Sequence, residues 1–96
     1  MINVKSLKFD AGKELLDYVE KKVGKLEKFF DNLGDIDVTL SLSPDPENKN
    51  VRLQTRVPGD DLVIERNAKT FEEAVTEAVD AMKEKIVRAK ERRFEK

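Results

Sequence analysis

The side chains in this sequence whose type and spacing could do chemistry are mainly lysines and arginines. Lysines recur at steps of three and four through residues 21–28, and residues 83–96 hold seven cationic side chains against three glutamates. Cations at helical spacing share one face of a helix, where they bind a phosphate backbone by releasing its condensed counterions. The net charge of the chain is −1, so this local charge of +4 leaves −5 on the remainder. The candidate phosphate-binding side chains are Lys21, Lys22, Lys25, Lys28, Lys83, Lys85, Arg88, Lys90, Arg92 and Arg93.

The residue types on which most catalytic sites depend are scarce. The chain has no histidine and no cysteine, which removes the commonest general base, the thiolate nucleophile and the main transition-metal ligands. Ser41 and Ser43 have no base partner, and the four glycines form no phosphate-binding loop. The acidic pairs Asp60-Asp61 and Glu72-Glu73 fit a turn and the first turn of a helix, and residues 45–48 lack the spacing of a calcium loop. The sequence predicts no enzyme activity, cofactor, metal or small-molecule substrate.

The length and composition predict one domain with one hydrophobic core. The chain has 96 residues, of which 39% are hydrophobic, enough to bury a core without covalent staples. No apolar run is long enough for a signal peptide or a membrane span. We expect a soluble protein of the cytoplasm.

The first helix is predicted from about Ala11 to Asn32, with Asp10 as its N-cap and Gly34 as its stop. Its apolar residues recur at steps of three and four and predict one buried face: Leu15, Tyr18, Val19, Val23, Leu26, Phe29, Phe30 and Leu33. The lysines follow the same steps on another face. In an alternative interpretation they are only a solvated surface, paired with Glu20, Glu27 and Asp31.

Alternation of apolar and polar residues predicts four strands. They cover residues 2–9, 35–43, 51–57 and 62–68, and a polar loop with two prolines fills residues 43–50. Pro58-Gly59-Asp60-Asp61 predicts a tight turn between the last two strands, because Pro presets φ and Gly accepts a positive φ.

The second helix is predicted to open at Thr70 with a capping box completed by Glu73. Its predicted buried face is Phe71, Val75, Ala78, Val79, Met82, Ile86 and Ala89. Beyond Ala89 the apolar pattern fades, so we expect residues 90–96 to fray or to project as solvated helix.

The predicted order β-α-β-β-β-α belongs to the α+β class, with a four-stranded mixed sheet and both helices on one face. The first two strands would be parallel and the others antiparallel hairpins. If the later halves of the helices meet, their cations form one patch suited to structured RNA recognised by backbone and shape. A second hypothesis is a small protein-interaction module that uses a sheet edge or the acidic 43–50 loop. Binding of the basic tail to anionic lipid is disfavoured, since Phe94 is its only large apolar anchor.

Two short motifs in this order resemble the short ribosome hibernation-promoting factor family, which includes the ribosome-associated inhibitors, also called sigma-54 modulation proteins. The motifs are KLEKFFD at residues 25–31 and the start of the second helix at Phe71, Ala74 and Val75. The resemblance implies a protein that binds 16S rRNA in the decoding region of the small ribosomal subunit. It also implies that the protein covers the mRNA and tRNA sites and silences idle ribosomes in stationary phase or stress, without catalysis.

Carried over residue by residue, the resemblance places the family's basic positions on Lys22, Lys25 and Lys28 and on Arg88 and Lys90, with Lys85 nearby. Glu84 departs from the pattern, since relatives often have a basic residue there. We expect a short form without a C-terminal dimerisation domain, monomeric off the ribosome, whose partner is the small subunit and not a membrane. Whether it pairs ribosomes or silences single ones is left open by the sequence.

Overall fold

A computed structural model of the chain describes residues 1–30 and 33–94, with side chains as far as residue 91. In chain order the elements are β1 (Ile2–Ser6), α1 (Lys13–Phe29), β2 (Ile36–Leu42), β3 (Lys49–Val57), β4 (Asp60–Ala68) and α2 (Phe71–Phe94). The predicted order and the α+β class are confirmed. Helices and strands occur in one folded unit whose four strands form a single sheet.

The strands lie in the order β1-β2-β3-β4. β1 runs parallel to β2, with Ile2 opposite Ile36, and the other two pairs are antiparallel, as predicted. The predicted four-residue turn is wrong by two residues, because Asp60 and Asp61 already belong to β4. The loop has two residues, Pro58 and Gly59, so the pairing of β3 with β4 continues up to Val57 and Asp60. Gly59 takes the positive φ of 87° that this short loop needs.

One face of the sheet carries the core. Along β3, Val51, Leu53 and Val57 are buried, whereas Arg52 and Gln54 between them are exposed. Both helices cover the buried face, and every residue of the predicted inner face of α2 is buried. The two helices therefore lie side by side on the same layer, as the polar alternation predicts.

The predicted ends of α1 are wrong. The stacked rings of Phe9 and Phe71, 5.1 Å apart, hold the preceding segment in irregular structure. Gly12 instead of Asp10 therefore occupies the N-cap position, in extended geometry. The helix ends at Phe29, and Gly34 donates its N–H to the Arg56 carbonyl at 2.8 Å, so it ties the chain to β3 and does not stop the helix. Asn32, the predicted last residue, lies outside the described residues.

Two predicted core residues are exposed. Phe29 is 63% exposed and Leu42 is 50% exposed. Each is the last residue of its helix or strand. The apolar spacing in the sequence continues to this residue, but the opposite layer no longer covers its side chain. Phe30 has an extended backbone, with φ and ψ of −128° and 117°, and is no longer helical. Its ring is partly buried against the core, whereas the apolar pattern predicts that both rings are buried.

α2 begins as predicted, since the N–H of Glu73 donates to Thr70 Oγ1 at 3.1 Å. The helix continues to Phe94, so the region beyond Ala89 projects as helix for at least one turn. The side chains of residues 92–94, and residues 95 and 96 altogether, lie outside the description. Within the part of the chain that is described, neither helix is long and apolar enough to cross a bilayer.

Candidate RNA interface

The helices run side by side in the same direction. Near their starts the Tyr18 hydroxyl lies 3.3 Å from Thr76 Oγ1. At the end of α1 and the middle of α2, the amine of Lys83 lies 4.3 Å from the centre of the Phe29 ring. Further along α2, Lys90 contacts the Phe30 ring just after α1 ends, so the later halves of the helices meet, as a shared patch requires.

The charges of α1 are divided between its two flanks. At about 100° per residue, Tyr18, Lys22, Lys25 and Phe29 follow one stripe, and this stripe faces α2 because its first and last members contact it. Lys21 and Lys28 lie next to this stripe, on the side of α1 that faces solvent. The opposite flank, which carries Glu20, Gly24 and Glu27, faces β1: Glu27 accepts a hydrogen bond from the Met1 amino group at 2.9 Å. Glu20 and Glu27 thus lie on a different side of α1 from the four lysines at 21–28.

This division bears on the alternative that carboxylates neutralise the lysines of α1. Glu27 is paired with the amino group of Met1, and this hydrogen bond raises the pKa of that amine. Among the described residues, no carboxylate oxygen lies within 4.0 Å of the ammonium group of Lys21, Lys22, Lys25 or Lys28. Asp31, the third proposed partner, is outside the described residues. Within the described residues, no carboxylate therefore competes with an external anion for these four ammonium groups.

The cations of α2 do not form one group. Lys83 and Lys90, seven residues apart, face α1, and the Lys90 amine lies 4.9 Å from the centre of the Phe30 ring. Lys85 points to the other flank and donates to the Val63 carbonyl at 3.0 Å. Arg88 pairs with Glu84 at 2.5 Å one turn earlier. We call the cations that do come together the helix patch: Lys21, Lys22, Lys25, Lys28, Lys83 and Lys90.

The remaining candidates stand apart from the helix patch. Lys85 and Arg88 lie on the far flank of α2, and the Glu84–Arg88 pair is exposed at both ends, so its net attraction is small. Glu84 therefore does not sit at the centre of the patch. Arg92 and Arg93 belong to α2, but their side chains are outside the described part of the chain. Their assignment to a binding site stays a prediction.

An acidic stripe borders the helix patch on the solvent crest of α2. It consists of Glu73, Glu77, Asp80, Glu84 and Glu91, all exposed and spaced at about whole turns of the helix. The positive surface is therefore centred on α1 and on the seam between the helices. The local charge of residues 83–96 includes Glu84 and Glu91, but the alignment of these acids with Glu73 and Asp80 is readable only from the helical spacing.

Three aromatic rings interleave with the lysines along the seam. Lys22 lies 5.6 Å from the centre of the Tyr18 ring, and the pairs Lys83–Phe29 and Lys90–Phe30 complete the row. An ammonium group over a ring is attracted by the ring quadrupole, so these contacts hold the amines along the seam. The spacing of Tyr18 and Lys22 was visible in the sequence, but the other two pairs join different helices.

The open face of the sheet is a mixed polar surface. Asn3 donates to Asp37 at 3.1 Å, and Arg56 pairs with Asp61 at 2.7 Å. Its strands carry no aromatic ladder among the described residues, which separates it from sheets that stack single-stranded bases. No group of three or more acidic side chains in the described segments is arranged to hold a metal ion.

Comparison with solved structures places this architecture among known proteins. The N-terminal domain of Protein Y from Thermus thermophilus aligns with a TM-score of 0.76 and 25% identity, over 90% of this chain and 93% of that chain. A ribosomal subunit interface protein from Coxiella burnetii aligns with a TM-score of 0.82 over 93% of this chain and 96% of that chain. At 16% identity, the second likeness concerns the fold alone.

Comparison of sequences gives relatives with a common description. The ribosome hibernation promotion factor of Bacillus subtilis (strain 168) is 29% identical over 86 residues, and this chain spans 44% of its length. The ribosome hibernation promoting factor of Azotobacter vinelandii is 22% identical over 95 residues, which cover 87% of that protein. The model of the Sigma 54 modulation protein / S30EA ribosomal protein family matches residues 2–93. With that match across nearly the whole chain, this protein belongs to the Sigma 54 modulation protein / S30EA ribosomal protein family.

Proposed function

We propose that this protein is a non-enzymatic regulator of translation that binds the small ribosomal subunit through phosphates of 16S rRNA. It occupies the mRNA and tRNA sites of the decoding region and silences ribosomes in stationary phase or stress. The observation that carries the proposal is the helix patch, whose six lysines meet across two aligned helices. Its relatives in Bacillus subtilis and Azotobacter vinelandii are both described as ribosome hibernation factors, which supports the biological role and a cytoplasmic location.

The geometry suits recognition of an RNA backbone. The crest and the seam of two packed helices present cations in rows, and helix axes in contact lie roughly 8–10 Å apart. Rows at this separation can contact phosphates on either side of one groove, and none of these contacts reads a base edge. Affinity then comes from counterion release and from the fit of the helix pair to the RNA surface. Silencing needs no reaction, because a protein bound at the decoding region excludes mRNA and tRNA by occupancy.

The proposal predicts strongly salt-dependent binding to small ribosomal subunits. With about six phosphate contacts, the logarithm of the association constant should fall with the logarithm of salt concentration at a slope of about −5. Cosedimentation of the purified protein with small subunits across a salt series measures that slope. A slope near zero would contradict a mechanism based on phosphate contacts.

A double charge reversal locates the surface. From the sequence, Lys25 and Arg88 would be the pair to change, but Arg88 is held by Glu84 on the far flank of α2. We therefore choose Lys25→Glu with Lys83→Glu, which lie on the two sides of the seam. The matched control is Lys5→Glu with Lys69→Glu, which makes the same change in net charge at exposed positions outside the patch. Loss of cosedimentation in the first variant only is the expected result, and equal loss in both would remove the patch as the site.

The second hypothesis, a protein-interaction module that extends the sheet at an edge, is less compatible with the free edge of β4. Counting from the closing pair Val57–Asp60 of the two-residue hairpin, Gln54 and Val63 form a non-hydrogen-bonded pair, so the Val63 carbonyl points away from β3. Lys85 already donates to this carbonyl. An added strand would have to displace the lysine. Binding that tolerates salt and is lost on substitution in the sheet would favour this hypothesis.

A further inference from the structure

Phe29 is an exposed aromatic ring inside the helix patch. It is 63% exposed and stands at the last position of α1, on the stripe that also carries Lys22 and Lys25. Lys83 from α2 lies over the ring at 4.3 Å. An ammonium group covers one face of a ring only, and the exposure of Phe29 leaves a ring-sized area open to solvent.

A second exposed apolar side chain extends this surface. Val87 is 39% exposed and lies on α2 between Lys83 and Lys90, one turn from each. An exposed apolar ring with lysine amines beside it is complementary to a ligand that is both planar and anionic. A nucleotide has this combination, because its base offers a π-face and its phosphates carry the charge.

The fold does not require an exposed ring at this position. Phe30, the next residue, already packs against the core, and Lys90 covers its ring. Tyr18 at the other end of the stripe uses its hydroxyl to contact Thr76 and is partly buried. Of the three rings along the seam, Phe29 is the one that presents most of its surface to a ligand.

We infer that Phe29 stacks on an unpaired nucleobase of the bound RNA, while Lys83 contacts the phosphate next to that base. This inference rests on the proposed function and adds to it a contact that does not depend on salt. The helix patch then recognises RNA in two ways, by phosphate neutralisation along α1 and by one base stacked at the end of the seam. The chemical class of the ligand is a single-stranded or extruded nucleotide within structured RNA.

The first test compares salt dependence between variants in cosedimentation with small ribosomal subunits. Phe29→Ala should lower the affinity about 5- to 150-fold, the range found for removal of one stacked base, and leave the salt slope unchanged. Phe29→Leu, which keeps apolar area without a π-face, should lose most of the same affinity, and Phe29→Trp should keep it. Leu42→Ala is the control, since it removes an exposed apolar side chain from the end of β2, away from the seam.

Because Phe29 also holds Lys83, the substitutions are repeated in a Lys83→Ala background. A stacking role predicts that Phe29→Ala still lowers affinity there, whereas a ring that only positions the lysine predicts no further loss. If Phe29→Ala binds as tightly as the original chain while the Lys25/Lys83 reversal abolishes binding, the inference fails and the proposed function stands. If the reversal leaves binding intact, the proposed function itself fails.

The second test uses the absence of tryptophan from the chain. Phe29→Trp introduces a single indole whose emission should be quenched when protein-free rRNA of the small subunit binds, because a base stacked on the excited indole accepts an electron from it. Inorganic polyphosphate is the matched anion without bases and should bind the patch without quenching. Equal emission with both ligands would overturn the inference. The inference would also be overturned if Phe29→Ala weakened binding to vesicles of anionic lipid but left binding to small subunits unchanged.

Discussion

At the scale of single residues, identical side chains have different roles because of small differences in position. Phe29 and Phe30 are adjacent, yet one is 63% exposed and the other packs against the core, since the helix ends between them. Lys83 and Lys85 are two residues apart on α2, which turns them to opposite flanks. The spacing of apolar residues predicts that both rings are buried, but the place where α1 ends decides which ring is exposed.

Gly24 gives the first residue-scale prediction. It lies on the flank of α1 that faces β1, and a Cβ at this position would meet Ile2 Cδ1 at 3.9 Å, an ordinary contact. Gly24→Ala should therefore stabilise the fold by about 0.5–1 kcal/mol, the helix-propensity gain of alanine over glycine. The midpoint of urea denaturation measures this change.

Two further measurements complete the Gly24 test. Gly59→Ala is the contrasting variant, because a φ of 87° strains any residue with a Cβ, and it should destabilise the protein. Gly24→Ala should also leave subunit binding unchanged, since it removes no cation of the helix patch and adds only a methyl group on the flank that faces β1. Weakened binding in a stable variant would mean that RNA approaches this flank closely.

At the scale of elements, each helix has a different device at its start and a different distribution of charge. α2 opens on Thr70, whose hydroxyl accepts the N–H of Glu73, whereas α1 opens on Gly12. α1 carries Glu20 and Glu27 toward β1 and its lysines at 21–28 toward α2 and solvent, and α2 carries an acidic stripe on its solvent side. The interface is therefore asymmetric, and α1 supplies four of the six lysines of the helix patch. The periodicity of apolar residues predicted both helices, but which element each flank of a helix faces depends on how the helices and strands pack together.

The cap of α2 gives a prediction at this scale. Thr70→Ala should cost about 1 kcal/mol of stability, because the Glu73 N–H loses its side-chain acceptor. Thr70→Ser keeps the hydroxyl and should retain most of that stability. Equilibrium denaturation of the two variants measures the difference. Equal stability of Thr70→Ala and the original chain would show that solvent satisfies this N–H as well as the threonine does.

At the scale of the whole molecule, stability comes from one face of one sheet covered by two helices. Leu53 is fully buried at the centre of β3, and Leu42, also a strand leucine, is half exposed at the end of β2. Leu53→Ala should lower the free energy of unfolding by about 2–5 kcal/mol, because it leaves a cavity in a close-packed core. Leu42→Ala should cost far less, as little area is lost. Similar losses in both variants would contradict this account of the core.

The sequence by itself determined the order of elements, the α+β class, the inner face of α2 and the cap at Thr70. These features depend on residues near each other in the chain, whose periodicity and hydrogen-bonding groups act locally. It failed at the ends of α1, at the turn after Val57 and at Phe29. At the ends of α1, contacts with distant residues, Phe9 with Phe71 and Gly34 with Arg56, override the local pattern. At the turn, the strand pairing continues to Val57 and Asp60, and at Phe29 the cover from the opposite layer ends before the apolar pattern does.

Only the tertiary structure decided which cations form a surface. Ten basic side chains are equivalent when counted along the chain, but packing α1 against α2 brings six together and turns Lys85 and Arg88 away. It also separates the lysines of α1 from the glutamates that were their potential partners. The physical reason is that each flank of a helix contacts a different neighbouring element. The spacing of residues in the sequence defines which side chains share a flank, but it does not define which element packs against that flank.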